Sequence, residues 1–139
     1  MIRLCLAAIL LASCVTAQSQ DRWLHVSGRS WHDQPGYNGH NWGLGLEQRI
    51  NQRWSAAAGM YHNSLDRTTA YGLIKHHWWN NGSAQININL GLATGYDLRP
   101  AAPVVLPELC AGWVCGLFVP AIGANTTSAL ALYLRIPIW

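Results

Sequence analysis

The stretch AQININLGLATGYD, residues 84–97, decides the fold. Ile86, Ile88, Leu90 and Leu92 alternate with Gln85, Asn87, Asn89, Gly91 and Ala93, a period of two that suits a pleated strand and no helix. One face is apolar, and the other carries amides and small residues. A soluble sandwich normally places Lys, Glu and Thr on its outer face. An apolar outside over a polar interior is instead the alternation of an outer-membrane barrel strand.

The end of the chain repeats the pattern. Leu130, Leu132, Leu134, Ile136 and Ile138 face one way, and Ala131, Tyr133, Arg135 and Pro137 face the other, before a closing Trp139. Between these two segments the same reasoning places strands near 22–31, 42–50, 54–63, 68–79, 84–96, 104–111, 114–122 and 128–138. Short connections at 51–53, 80–82 and 112–113 alternate with longer ones at 32–41, 64–67, 97–103 and 123–127, as periplasmic turns and outer loops alternate in membrane barrels. Trp23, Trp31, Trp42, Trp54, Trp78, Trp79 and Trp113 fall near strand ends, where interfacial aromatic girdles are expected. The expected fold is therefore all-β: an eight-stranded antiparallel up-and-down transmembrane β-barrel of the outer membrane. The competing reading is a secreted soluble barrel or sandwich, on which outward Ile and Leu ladders would be an aggregation hazard.

Composition and the first residues agree with export. MIRLCLAAILLASCVTAQSQ has an Arg, an apolar run and then small residues, the order of a secretory signal too short to span a membrane. Val15-Thr16-Ala17 predicts a signal over 1–17 and a barrel domain over 18–139. Leu11-Ala12-Ser13-Cys14 offers the alternative of a lipoprotein signal over 1–13. The low content of charged residues, 11%, argues against a nucleic-acid surface and against a disordered tail, and nine Lys and Arg against six Asp and Glu is only a mild basic excess. No internal repeat is present. Cys110 and Cys115 flank Ala111-Gly112-Trp113-Val114, so a two-residue turn would bring them opposite each other as a cross-strand disulfide in an oxidising compartment. No metal or cofactor is expected, because nothing else offers ligands at zinc-like spacing and His76-His77 point to opposite faces of a strand.

Chemistry concentrates in GMYHNSLDR, residues 59–67. Ser64 opens one outer loop and His32 opens another, on adjacent hairpins and at the same rim. A serine hydroxyl is a weak nucleophile until a base can take its proton, so a serine with a histidine is the minimum for acyl chemistry. His62 is a second candidate base. Pro103, Pro107 and Pro120 fall in or beside two neighbouring strands and lack the amide donor that a ladder requires. Such a gap is costly in lipid, and a weakened seam is where a lipid tail could slip sideways into the lumen. Inside, Gly43, Gly45, Ala57, Gly59 and Gly72 leave room for an acyl-chain slot, and Glu47, Arg49, Gln85, Asn87, Asn89 and Arg135 could form a satisfied polar network below it.

The runs RSWHDQPGYNGHNWGLGLEQR, GMYHNSLDRTTAYG, LGLATGYD, PVVLP, FVPAIGAN and LALYLRI resemble, in order, the PagP-type lipid A palmitoyltransferases. Trp31-His32, Asn63-Ser64 and the segment 103–107 are the most specific pieces, and the amphipathic helix that precedes the barrel in that family has no counterpart. The resemblance implies a catalytic His32 and Ser64, with Asn63 where the family has Asp. It also implies lateral lipid entry at the proline-flanked gaps and Gly72 as the interior glycine that sets acyl length. The implied partners are a phospholipid donor, a lipid A or lipopolysaccharide acceptor and the barrel-insertion machinery, for a monomer. An amide cannot stabilise an imidazolium as a carboxylate does, so Asp66 and Asp33 are candidate substitutes and Asn63→Asp is expected to raise the rate. A lipid A deacylase and a non-catalytic barrel are the alternatives.

Overall fold

The computed structural model describes residues 21–96, 100–121 and 127–138. The segment expected to be a signal, Asp97 and Trp139 lie outside that description. Eight strands follow in chain order: β1 (Arg22–His32), β2 (His40–Arg49), β3 (Trp54–His62), β4 (Thr68–Asn80), β5 (Ala84–Ala93), β6 (Ala102–Ala111), β7 (Val114–Val119) and β8 (Ala129–Ile138). Each pairs antiparallel with its neighbours, and β8 pairs with β1 to close the barrel. The strand count and order are those expected. β5 stops at Ala93 rather than 96, and β7 stops at Val119 rather than 122, with Pro120 following it.

The turns at one end are made by the residues their geometry requires. Asn51 accepts the amides of Arg53 and Trp54 at 2.9 and 3.0 Å. Asn81 likewise accepts those of Ser83 and Ala84 at 3.0 and 2.8 Å. Gly82 and Gly112 take positive φ angles of 89° and 59°, where a side chain would be strained.

Outside, Leu44, Leu46, Met60, Ile86, Leu90, Leu92, Val105, Leu109, Leu130 and Leu134 all stand exposed. Trp31 and Trp42 ring the long-loop end. Trp54, Trp78, Trp79 and Trp113 ring the short-turn end. Trp78 and Trp79 both face out because the β4–β5 register shifts between His77 and Trp79, inserting one extra residue. Trp23 departs from the girdle expected of it: it points inward, is only 9% exposed, and lies under the Arg135 guanidinium at 3.7 Å.

The lower interior, toward the short turns, is filled by charge. Glu47 receives both Nε and Nη2 of Arg135 at 3.0 and 2.8 Å, with Lys75 Nζ and His25 Nε2 each 2.9 Å from its Oε2. Lys75 also reaches Glu108 at 2.9 Å, and Glu108 accepts from Tyr133, Asn87 and Asn89 at 2.6, 2.8 and 3.1 Å. His25, Lys75, Glu108 and Tyr133 were absent from the network expected from sequence, while Arg49 sits apart from it, paired with Asp21.

Lys75 also corrects the phase of β4. With its ammonium held inside by two carboxylates, Thr69, Tyr71 and Leu73 share its face, and Gly72 turns outward with Ala70 and Ile74. Gly72 therefore borders no lumen: a methyl added there would meet nothing within 4 Å.

The β6–β7 pairing runs only from Ala111↔Val114 to Glu108↔Leu117. Cys110 and Cys115, bonded as a disulfide, have Cα atoms 4.0 Å apart, the close spacing of a non-hydrogen-bonded pair. By alternation, the amides of residues 103, 105, 107 and 109 on β6 point toward β7, and those of 114, 116, 118 and 120 point toward β6. Gly112 N bonding Ser83 O and Arg135 N bonding Trp113 O fit this parity. Pro103, Pro107 and Pro120 thus remove donors from one and the same seam, which unzips on the long-loop side of the disulfide.

Truncating Glu47 strands a buried guanidinium. Glu47→Ala is expected to destabilise the barrel by about 3–5 kcal/mol, measured by urea unfolding in detergent or vesicles.

Candidate active site

At the long-loop rim, β1 ends on His32 and the β3–β4 loop begins on Asn63 and Ser64. Strict alternation along β1 from Trp23, His25 and Ser27 would turn His32 outward. The register with both neighbouring strands shifts between Ser27 and Arg29, and past that bulge Ser30 and His32 face inward while Arg29 and Trp31 face out. The bulge is what aims the imidazole at the lumen mouth.

Ser64 Oγ lies 2.9 Å from His32 Nε2, and both residues are half-buried. A second hydroxyl shares that nitrogen, Ser30 Oγ at 3.0 Å. Ser30 in turn donates a short hydrogen bond to Asn41 Oδ1, and Asn41 Nδ2 donates to the His62 carbonyl at 3.0 Å. The ring stacks on Tyr37, centroid to centroid 5.2 Å. Nδ1 of His32 is buried and, among the described residues, has no hydrogen-bond partner. Among the described residues, the site is therefore a serine and histidine pair without a carboxylate behind the imidazole.

Asn63 does not assist that pair. Its Nδ2 donates to Thr69 Oγ1 and to the Gly95 carbonyl, both at 3.0 Å, and its Oδ1 accepts the amides of Leu65 and Arg67 at 2.9 and 3.0 Å. Every site the amide offers is used on the loop, and the residue is fully buried. Asn63 is the brace that sets the loop on which Ser64 stands. The expectation that Asn63→Asp would repair a crippled carboxylate is overturned on this geometry, because that carboxylate would face a carbonyl and a hydroxyl and not the imidazole.

The other candidates are also occupied elsewhere. Asp66, at a positive φ of 59°, bonds Asn38 at 2.8 Å and His62 at 3.2 Å. Asp33 accepts a short bond from Thr127 and donates its amide to the Ser128 carbonyl at 3.2 Å. His62 is thereby committed to Asp66 and does not reach Ser64. Gly45 and Gly59 do face inward, but the room they leave is filled by the Tyr71 hydroxyl, against which any added methyl on either would collide. Ser30 and Asn41 were missed from sequence although both lie in the run 29–49, because the bulge hides their parity.

A second serine and histidine pair lies at the opposite end. Ser55 Oγ is 2.7 Å from His77 Nε2, and His77 Nδ1 is 2.9 Å from Asn87 Oδ1. It is better partnered than the rim pair, yet Ser55 is fully buried, so no substrate carbonyl can reach its oxygen. Glu108, Cys110 and Cys115 also cluster, with both sulfurs spent on each other. No family model matches the chain, and no curated protein matches it.

Asn63→Asp is expected to cost about 1–3 kcal/mol through its lost donors. Limited proteolysis should report it as faster tryptic cleavage after Arg67, with the barrel otherwise folded.

Proposed function

We propose that the protein is an outer-membrane lipid acyltransferase, moving a fatty acyl chain from a phospholipid to lipid A or a related lipid. One observation carries the reading: Ser64 Oγ within 2.9 Å of His32 Nε2, at the mouth of a barrel whose wall is opened beside the mouth by three prolines on a single seam. The exposed apolar ladder between two tryptophan girdles supports a lipid surrounding. A shallow apolar groove lined by Trp31, Phe118, Ala129 and Leu130 runs from β7 toward β1, a path for an acyl tail along the outside of the seam's far strand.

In this reaction Ser64 Oγ attacks the ester carbonyl of the donor while its proton passes to His32 Nε2. The carbonyl–oxygen bond to glycerol then breaks, and His32 returns the proton to the leaving alkoxide, giving a lysophospholipid and an acyl-Ser64. An acceptor hydroxyl attacks that ester, its proton passes to His32, and the same proton restores Ser64. Water in place of the acceptor gives a free fatty acid, the deacylase outcome.

Mass spectrometry of lipids from a Gram-negative host lacking its own acyltransferase tests this. An added acyl mass on lipid A together with lysophospholipid is expected, and Ser64→Ala or His32→Ala should abolish both. Free fatty acid alone would move the assignment to hydrolysis, and unchanged lipids around a folded, inserted barrel would move it to a non-catalytic barrel. The seam has its own test. Leu106→Cys with Val119→Cys occupies the next non-hydrogen-bonded position above Glu108↔Leu117, and oxidising that pair should stop turnover while the barrel stays folded. Undiminished turnover would exclude the seam as the lipid entrance.

A further inference from the structure

We propose that Ser30, oriented by Asn41, is a positioning residue for His32, receiving on its oxygen the Nε2–H that His32 gains when Ser64 is deprotonated. The inference rests on the acyl-transfer reading above and concerns how a base works with no carboxylate behind it.

The hydrogen-bond directions leave little freedom. The His62 carbonyl can only accept, so the Asn41 group facing it at 3.0 Å is the amide nitrogen, and the amide oxygen must face Ser30. Ser30 has one hydroxyl hydrogen, which that oxygen takes. What Ser30 turns toward His32 Nε2, 3.0 Å away, is therefore a lone pair. Both Ser30 and Asn41 are 6% exposed, and Ser30 is further fixed by its amide bond to the Gly39 carbonyl at 2.9 Å.

A lone pair aimed at Nε2 has opposite effects before and after proton transfer. In the Nδ1–H tautomer, the one in which Nε2 is bare and can accept the Ser64 proton, the lone pairs of Ser30 Oγ and Nε2 repel. Once Nε2 carries the proton, it donates to Ser30 as well as to Ser64, a three-centre bond. The contact is thus stronger in the charged state than in the resting one, which is the kind of contact that accelerates a chemical step. In a serine triad the carboxylate does this from Nδ1. Here Nδ1 has no partner among the described residues, and the compensation comes from the same nitrogen that handles the proton.

The test uses the full chain in detergent micelles with ring-¹⁵N-labelled histidine, and the lipid assay on the same preparations. Ser30→Ala is expected to lower kcat by roughly ten- to hundredfold, the scale of acid–base assistance, with KM for the donor unchanged. It should also move the His32 Nε2 resonance, and Ser30→Thr should restore both. Asn41→Ala leaves the Ser30 hydroxyl in place and frees its hydrogen to turn onto Nε2, so it should lower kcat as well. That variant keeps the test alive if Ser30→Ala folds poorly. A kcat within about twofold of the parent in Ser30→Ala or Asn41→Ala, or a loss in Ser30→Ala with the Nε2 resonance unmoved, overturns the proposal. If the parent chain transfers no acyl group, the lipid reading fails by itself and the nitrogen spectrum decides alone: a shift restored by threonine upholds the Ser30 contact, and an unchanged spectrum removes it.

Discussion

Glu47 holds the barrel in register. Its carboxylate gathers His25 from β1, Lys75 from β4 and Arg135 from β8 around its own strand β2, so it spans the β8–β1 closure and fixes which face of four strands is inside. Lys75 extends the lock to β6 through Glu108. A one-residue slip in any of these strands would drive a charge into the apolar exterior and leave its partner buried and unpaired, which is why the parity of the wall is so strongly specified.

That order governs the short-turn half and is relaxed in the other. On the long-loop side the same ladder is broken in two ways, by the bulge in β1 and by the prolines between β6 and β7. Both departures sit at the rim that holds His32 and Ser64. A barrel with full pairing along both seams would point the imidazole outward and offer no gap in its wall. A third irregularity, the extra residue in β4 between His77 and Trp79, lies in the other half, beside the charge cluster that keeps those strands in register.

The alternation of Ile86, Ile88, Leu90 and Leu92, the turn asparagines and the position of the cysteines made the eight-stranded barrel legible in the sequence, because a two-sided wall writes its period into the chain. The proximity of His32 to Ser64 was legible too, since adjacent hairpins bring their loops together. The phase of β4 was not: Ala70-Tyr71-Gly72-Leu73-Ile74 reads equally well either way up, and only the distant carboxylates that claim Lys75 decide it. Asn63 was misread because the resemblance to a family with an aspartate there made it look like a damaged acid, which its partners, Thr69 and Gly95, do not bear out. Ser30 and Asn41 escaped for a related reason. A bulge changes which neighbours a residue meets without leaving a mark in the composition.

The interlocked carboxylates and cations of the lower lumen also bear on permeability. Glu47 and Glu108 are matched by Lys75 and Arg135, and these four side chains are buried and ion-paired with one another in the lower lumen. An ion travelling along the axis would have to part oppositely charged groups that are already neutralised and stripped of water, with no net field to draw it in. Whatever passes between the lumen and its surroundings would have to cross at the rim or through the wall.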